Sequence, residues 1–118
     1  MIVSDTTAIS QFASAEVADL IDLSRFLVAL GDPIRQQIVL LLSRERLNVA
    51  QLTSRVHLSR PAVSYQIKVL VDAGILVQER LGREHVYRVD GASLRAFQGR
   101  LGDFVDRCDG GRALARAS

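Results

Sequence analysis

The chain is short of the residues that metal and redox chemistry use. It holds one cysteine, Cys108, and two histidines, His57 and His85, in 118 residues. One thiol forms no disulfide within its own chain, and three scattered soft or borderline donors are a poor inventory for a metal centre. Long apolar runs are missing too, since none approaches the roughly 18 residues that a bilayer span needs. The opening MIVSDTTAIS lacks the basic-then-apolar order of a secretory signal. The expectation is a cytoplasmic protein with no membrane partner, no metal and no cofactor. The formal net charge of +2 is also small, and by itself it does not argue for nucleic acid.

What is present is an ordinary globular composition, 48% hydrophobic and 24% charged, which buries enough apolar surface to fold and fits one domain at this length. The charge is unevenly distributed. Residues 1–34 set Asp5, Glu16, Asp19, Asp22 and Asp32 against Arg25 alone, a net −4. Residues 55–88 set Arg55, Arg60, Lys68, Arg80, Arg83 and Arg88 against Asp72, Glu79 and Glu84, a net +3. An expected domain over 14–108 is flanked by segments 1–13 and 109–118, whose composition predicts flexible ends.

From Ser14 the apolar positions Val17, Leu20, Ile21, Leu27 and Val28 recur at helical spacing. Leu23, Phe26 and Leu30 widen that stripe beyond what one packing partner requires, so this helix is expected to be buried on two sides, a dimer contact being one explanation. Gly31 ends it. Asp32 and Pro33 supply a cap and a first-turn residue for a second helix ending near Arg44, with Ile34, Ile38, Leu41 and Leu42 inward. Asn48 caps a short third helix, and after a turn at His57 and Leu58, Ser59 caps a fourth. On the fourth, Val63, Ile67, Leu70 and Val71 share one side, while Pro61, Ser64, Tyr65, Lys68 and Asp72 share the other. Gly74 suits the C-terminal stop. Residues 75–80 and 85–89 read as two strands joined by a loop over 81–84. Asp90 then caps a last helix through Leu94, Phe97, Leu101, Phe104 and Val105.

Two helices joined by a tight turn, followed at once by a basic-tipped hairpin, predict a mainly α winged helix-turn-helix whose second motif helix enters the DNA major groove. Phosphates need cations along the backbone, which Arg60, Lys68, Arg80 and Arg83 supply, with Ser59 and His85 beside them. Base edges need short hydrogen-bonding groups such as Ser64, Tyr65 and Gln66. A protein-interaction module built on the same fold is the alternative. An enzyme has little to stand on, because Ser59, Ser64 and His57 have no orienting third group.

Residues Ala29-Leu30-Gly31-Asp32-Pro33-Ile34-Arg35 through Ile38, then Leu58 to Ser64 through Lys68-Val69-Leu70, and Ala73-Gly74-Ile75-Leu76 resemble the arsenic-repressor (ArsR/SmtB) family of bacterial transcription regulators. Gly82 to Arg88 matches the family's wing. The resemblance covers about residues 20–90. It implies a homodimeric repressor on a palindromic double-stranded operator, joined through the first and last helices. Val17, Leu20, Leu27, Phe97, Leu101 and Phe104 are the expected interface residues. It also implies where metal ligands would stand, and they are absent: the positions matching the family's thiolate pair are Asn48 and Ala50, and Gly91 to Cys108 holds no histidine. Cys108 remains as a thiol-based redox or arsenical sensor, the alternative signal reading.

Overall fold

The computed structural model describes residues 11–110. Of the two terminal segments expected to be flexible, residues 1–10 and 111–118 lie outside the described residues. Five helices and one hairpin follow in the order α1 (Ser14–Leu30), α2 (Pro33–Arg44), α3 (Val49–Val56), α4 (Arg60–Asp72), β1 (Leu76–Leu81), β2 (Glu84–Val89) and α5 (Gly91–Cys108). Among the described residues no single helix is long and apolar enough to cross a membrane.

Local chemistry starts and stops these elements. Asp32 Oδ1 accepts from the Ile34 N–H at 2.7 Å, with Pro33 in the first turn, where its missing N–H costs nothing. Asn48 and Gln51 form a reciprocal capping box, each side chain accepting from the other's backbone N–H at 2.8 Å. Ser59 and Asp90 cap α4 and α5 by accepting from Ala62 and Ser93. The end of α4 is a Schellman motif: the Ile75 N–H donates to Leu70 O and the Gly74 N–H to Val71 O, both at 2.9 Å. Gly74 sits at φ 82°, a region an L side chain resists.

Three helices of the motif and the hairpin's base enclose the core, in which Ile38, Leu52, Val63, Leu70 and Ile75 are fully buried. α1 contributes Phe26 and Ala29 to it. Its buried face is therefore Leu23, Phe26 and Ala29, while Ile21, Leu27 and Val28 of the same over-wide stripe point outward, Ile21 at 51% and Val28 at 71% exposure. α5 buries no residue fully. It is pinned at its first half, where Phe97 stacks on Phe26 with ring centroids 5.1 Å apart. Beyond that, ion pairs tie it to α1, with Arg107 2.7 Å from Glu16 and Arg100 within 4 Å of both Asp19 and Asp22.

The hairpin differs from expectation by one residue at each side of its tip. Its strands run 76–81 and 84–89, and the pairing Leu81↔Glu84 leaves only Gly82 and Arg83 as the loop. Gly82 at φ 64°, followed by a residue of negative φ, has the sign pattern of a type II′ turn, whose twist matches that of the flanking strands where a type I or II turn would splay them. Leu47 adds an antiparallel bridge to Tyr87, exchanging both backbone hydrogen bonds with it. That bridge sews the segment between α2 and α3 onto the outer edge of β2.

Candidate nucleic-acid interface

The turn between α3 and α4 is tight because His57 adopts a left-handed conformation, φ 55° and ψ 40°, at the end of α3. Leu58 tucks against the core, and α4 starts two residues later. Helical periodicity then directs Val63, Ile67 and Leu70 inward and leaves Ser64, Tyr65, Lys68 and Asp72 exposed, Tyr65 at 62%. Arg60 and Ser59 stand exposed at the N-terminal end of this face. Gln66 is different: it is half-buried, and its Oε1 accepts from Arg35 Nη1 at 2.8 Å, so its carbonyl end is turned back toward α2.

Strand alternation sorts the wing into two faces. One carries Gln78, Arg80, His85 and Tyr87 in register, and it looks toward α4. Ser64, Lys68 and Asp72 of α4, Val49 of α3, and Gln78 and Tyr87 of the wing line a common cleft of about 260 Å³. Gln78 Nε2 lies 2.8 Å from His85 Nδ1, the amide donating to the ring nitrogen. Arg80 Nε donates to Gly82 O at 3.2 Å and so lies along the turn beside Arg83. Gln78 is a residue that sequence reasoning missed, although its parity with His85 and Tyr87 across the hairpin was the available signal.

The other wing face is structural. Glu79, opposite Val86, is held by Arg46 at 2.9 Å and Arg88 at 3.0 Å. The Arg88 hydrogen bond, with the nearby Arg46 charge, holds the Glu79 carboxyl below the usual carboxylate range despite partial desolvation. Hydrogen bonds from the Ser93 hydroxyl and backbone do the same to Asp90. Arg55 pairs with Glu45 at 2.6 Å, and Lys68 pairs with Asp72 at 2.9 Å. Arg60, Arg80 and Arg83 have no carboxylate partner among the described residues, so the uncompensated positive charge of the 55–88 stretch collects at the α4 N-terminus and the wing tip.

Among the described residues no three His, Cys, Asp or Glu side chains gather to hold a metal ion. Asn48 and Ala50 offer no thiolate, and Asn48 is committed elsewhere, with its Oδ1 in the α3 cap and its Nδ2 donating to Glu84 at 3.3 Å. Cys108 is exposed near the end of α5, beside a shallow apolar pocket with Phe12, Leu20 and Phe104. Of the expected interface residues, Val17, Leu20 and Phe97 are half-buried within the protomer, Phe97 against Phe26, whereas Leu27, Leu101 and Phe104 are exposed.

A helix-turn-helix followed by a two-stranded wing, with a polar helix face and a basic wing tip on one side, defines a winged-helix protein. The sequence profile described as "Bacterial regulatory protein, arsR family" matches residues 32–77. The chain is 32% identical over 92 residues to the arsenical resistance operon repressor of Staphylococcus xylosus, covering 78% of this chain and 88% of that protein. It is 41% identical over 61 residues to the HTH-type transcriptional repressor SmtB of Mycobacterium tuberculosis, covering 52% of this chain and spanning 45% of that relative's length. An ArsR-like transcriptional regulator from Rhodococcus sp. RHA1 superposes with a TM-score of 0.74 at 28% identity, over 83% of this chain and 91% of that one. The chain belongs to the arsR family of bacterial regulatory proteins.

Proposed function

We propose that this chain is a DNA-binding transcriptional repressor that works in the cytoplasm as a homodimer on a twofold-symmetric operator. The observation that carries the reading is the shared cleft between α4 and the wing, together with Arg60 at the start of α4 and Arg80 and Arg83 at the wing tip, which have no carboxylate partner among the described residues. In this reading Ser64 and Tyr65 read base edges in the major groove, with the free amide end of Gln66 beside them. Ser59, Arg60, Lys68, Arg80, Arg83 and His85 hold phosphates. Lys68 reaches its phosphate by exchanging Asp72 for it. The repressor and arsenical-operon names of the relatives support the regulatory role.

The dimer reading is supported by the unfilled outer face of α1 and the second half of α5. Ile21, Leu27, Val28, Leu101, Phe104 and Val105 are all large, apolar and exposed, and exposed apolar patches of this kind mark interfaces. One recognition helix and one wing also contact too little DNA for specific binding, whereas a twofold dimer reads two half-sites about 34–36 Å apart or a multiple of that. No step in this reading passes through a metal. The test is retardation of duplex DNA across a salt series. Affinity falling linearly on logarithmic axes, by about 0.9 in slope per phosphate contact, is expected. Weak, salt-insensitive association with DNA would favour a protein-interaction module.

A further inference from the structure

At the end of α1 its own chain supplies the Gly31 N–H, which donates to Val28 O at 3.3 Å. The last turn of α1 contains no basic residue, yet the last carbonyls of a helix need donors and favour a cation. Further donors and the cation come from α2. Gln36 Nε2 donates to Leu30 O at 2.7 Å. Arg35 Nε donates to Ala29 O at 2.6 Å, and its Nη2 donates to Val28 O at 3.2 Å. The remaining arm of the same guanidinium, Nη1, reaches Gln66 Oε1 on α4 at 2.8 Å and lies 3.6 Å from Asp32 Oδ2. Only 13% of the Arg35 side chain is exposed. One rigid, planar fork therefore joins the end of α1, the cap of α2 and the middle of α4.

We propose that Arg35 is a positioning residue that sets the angle of α4 against α1 and thereby determines which operator half-site spacing the dimer accepts. This rests on the dimeric DNA-binding reading. Val28 presents its side chain on the outer face of α1 while its carbonyl is held by Arg35, and Gln66 follows Ser64 and Tyr65 on α4. The clamp thus links a residue of the proposed dimer contact to a neighbour of the reading face through one side chain. Arg35 itself touches no base. A lysine keeps the charge but lacks the planar fork, so it cannot hold α1 and α4 at once.

Two measurements on full-length chain test this. In the first, nitroxide labels on Ser24→Cys and Lys68→Cys, in a Cys108→Ser background diluted with unlabelled chain, report the α1–α4 distance within one protomer without DNA. A narrow distribution is expected with Arg35 and a broadened or shifted one with Arg35→Lys, and an unchanged distribution overturns the proposal. In the second, affinities are measured on operators whose half-site spacing is altered by one base pair, a displacement of about 3.4 Å. The unsubstituted chain should lose at least about 10-fold and Arg35→Lys no more than about 3-fold, with random-sequence affinity within about 2-fold. A purely stabilising role would lower all affinities together and leave the spacing preference intact, which also overturns the proposal. Should Arg35→Lys fail to fold, Gln66→Leu removes the α4 end of the clamp together with an amide at the reading face, so it is judged by the label distances alone, which should broaden or shift in the same way, and an unchanged distribution overturns the proposal. Absence of any sequence-specific binding by the unsubstituted chain would defeat the DNA-binding reading itself, while the label distances still judge the clamp.

Discussion

The helix-turn-helix with its wing and the α1–α5 pair are built to different standards of completeness. In the first, every helix has a side-chain cap, the inward faces of α2, α3 and α4 converge on one core, and the wing's base is sewn in by the Leu47–Tyr87 bridge. In the second, α1 has no side-chain cap hydrogen bond at its start, α5 buries nothing fully, and large apolar side chains of both helices remain in water. One region is finished by its own chain. The other is an apolar surface held in place by ion pairs at its flank and one aromatic stack, and it is the surface that the proposed dimer would cover.

The contrast breaks most severely in the core. Ile38→Ala removes a fully buried side chain and should cost about 2–5 kcal/mol of stability in denaturant titration, with DNA binding and dimerisation lost together. Substitutions on the open surface should separate the two properties. Val28→Asp combined with Phe104→Asp places two carboxylates in the proposed interface. It should raise the dimer dissociation constant by about 100-fold or more, equivalent to about 2.7 kcal/mol. Far-UV circular dichroism should stay unchanged, because neither side chain contributes to the protomer's core. Sedimentation velocity reads the first effect directly.

Within the completed region, the helix and the wing tip should also differ. Ser64→Ala or Tyr65→Ala should cost about 1–3 kcal/mol on the preferred site and change base preference at particular positions. Arg83→Ala should weaken binding to all sequences alike and reduce the salt slope by about one. Titration of selected and random duplexes distinguishes these outcomes.

Acid sharpens the comparison further. Glu79 and Asp90 both have carboxyls held below their ordinary values of 4.5 and 3.8. The unfolded chain therefore binds protons first as pH falls. The stability these groups contribute is fully present above about 4.5 and is lost as pH drops through their lowered folded values. Glu79→Gln should flatten that loss in thermal unfolding between pH 5 and about 3, and Asp90→Asn should flatten only its lower part. The smallest effect is expected at His57, whose left-handed backbone is strained for an L side chain. His57→Gly should raise stability by up to about 1 kcal/mol.

Local features of this structure were legible in the sequence, and relations between distant segments were not. Asp32, Asn48, Ser59 and Asp90 announce their helices because a cap acts within three residues. Gly74 announces the end of α4 for the same reason. The stripe on α1 was visibly too wide, but periodicity could not say which of its two sides meets the core, since that depends on where α2 and α5 pack. The hairpin's strands were recognised with a loop two residues too long, because Leu81 and Glu84 pair only once Gly82 takes positive φ. Arg35 and Gln66, 31 positions apart, carry no mark of their contact, and neither do Leu47 and Tyr87.

Selection of bound sequences from random duplex DNA by the unsubstituted chain tests the central claim most directly. A dimer that reads DNA with α4 should enrich two inverted copies of one half-site, their centres about 10–10.5 base pairs apart or a multiple of that. Enrichment of a single asymmetric site, or of no sequence at all, would contradict it.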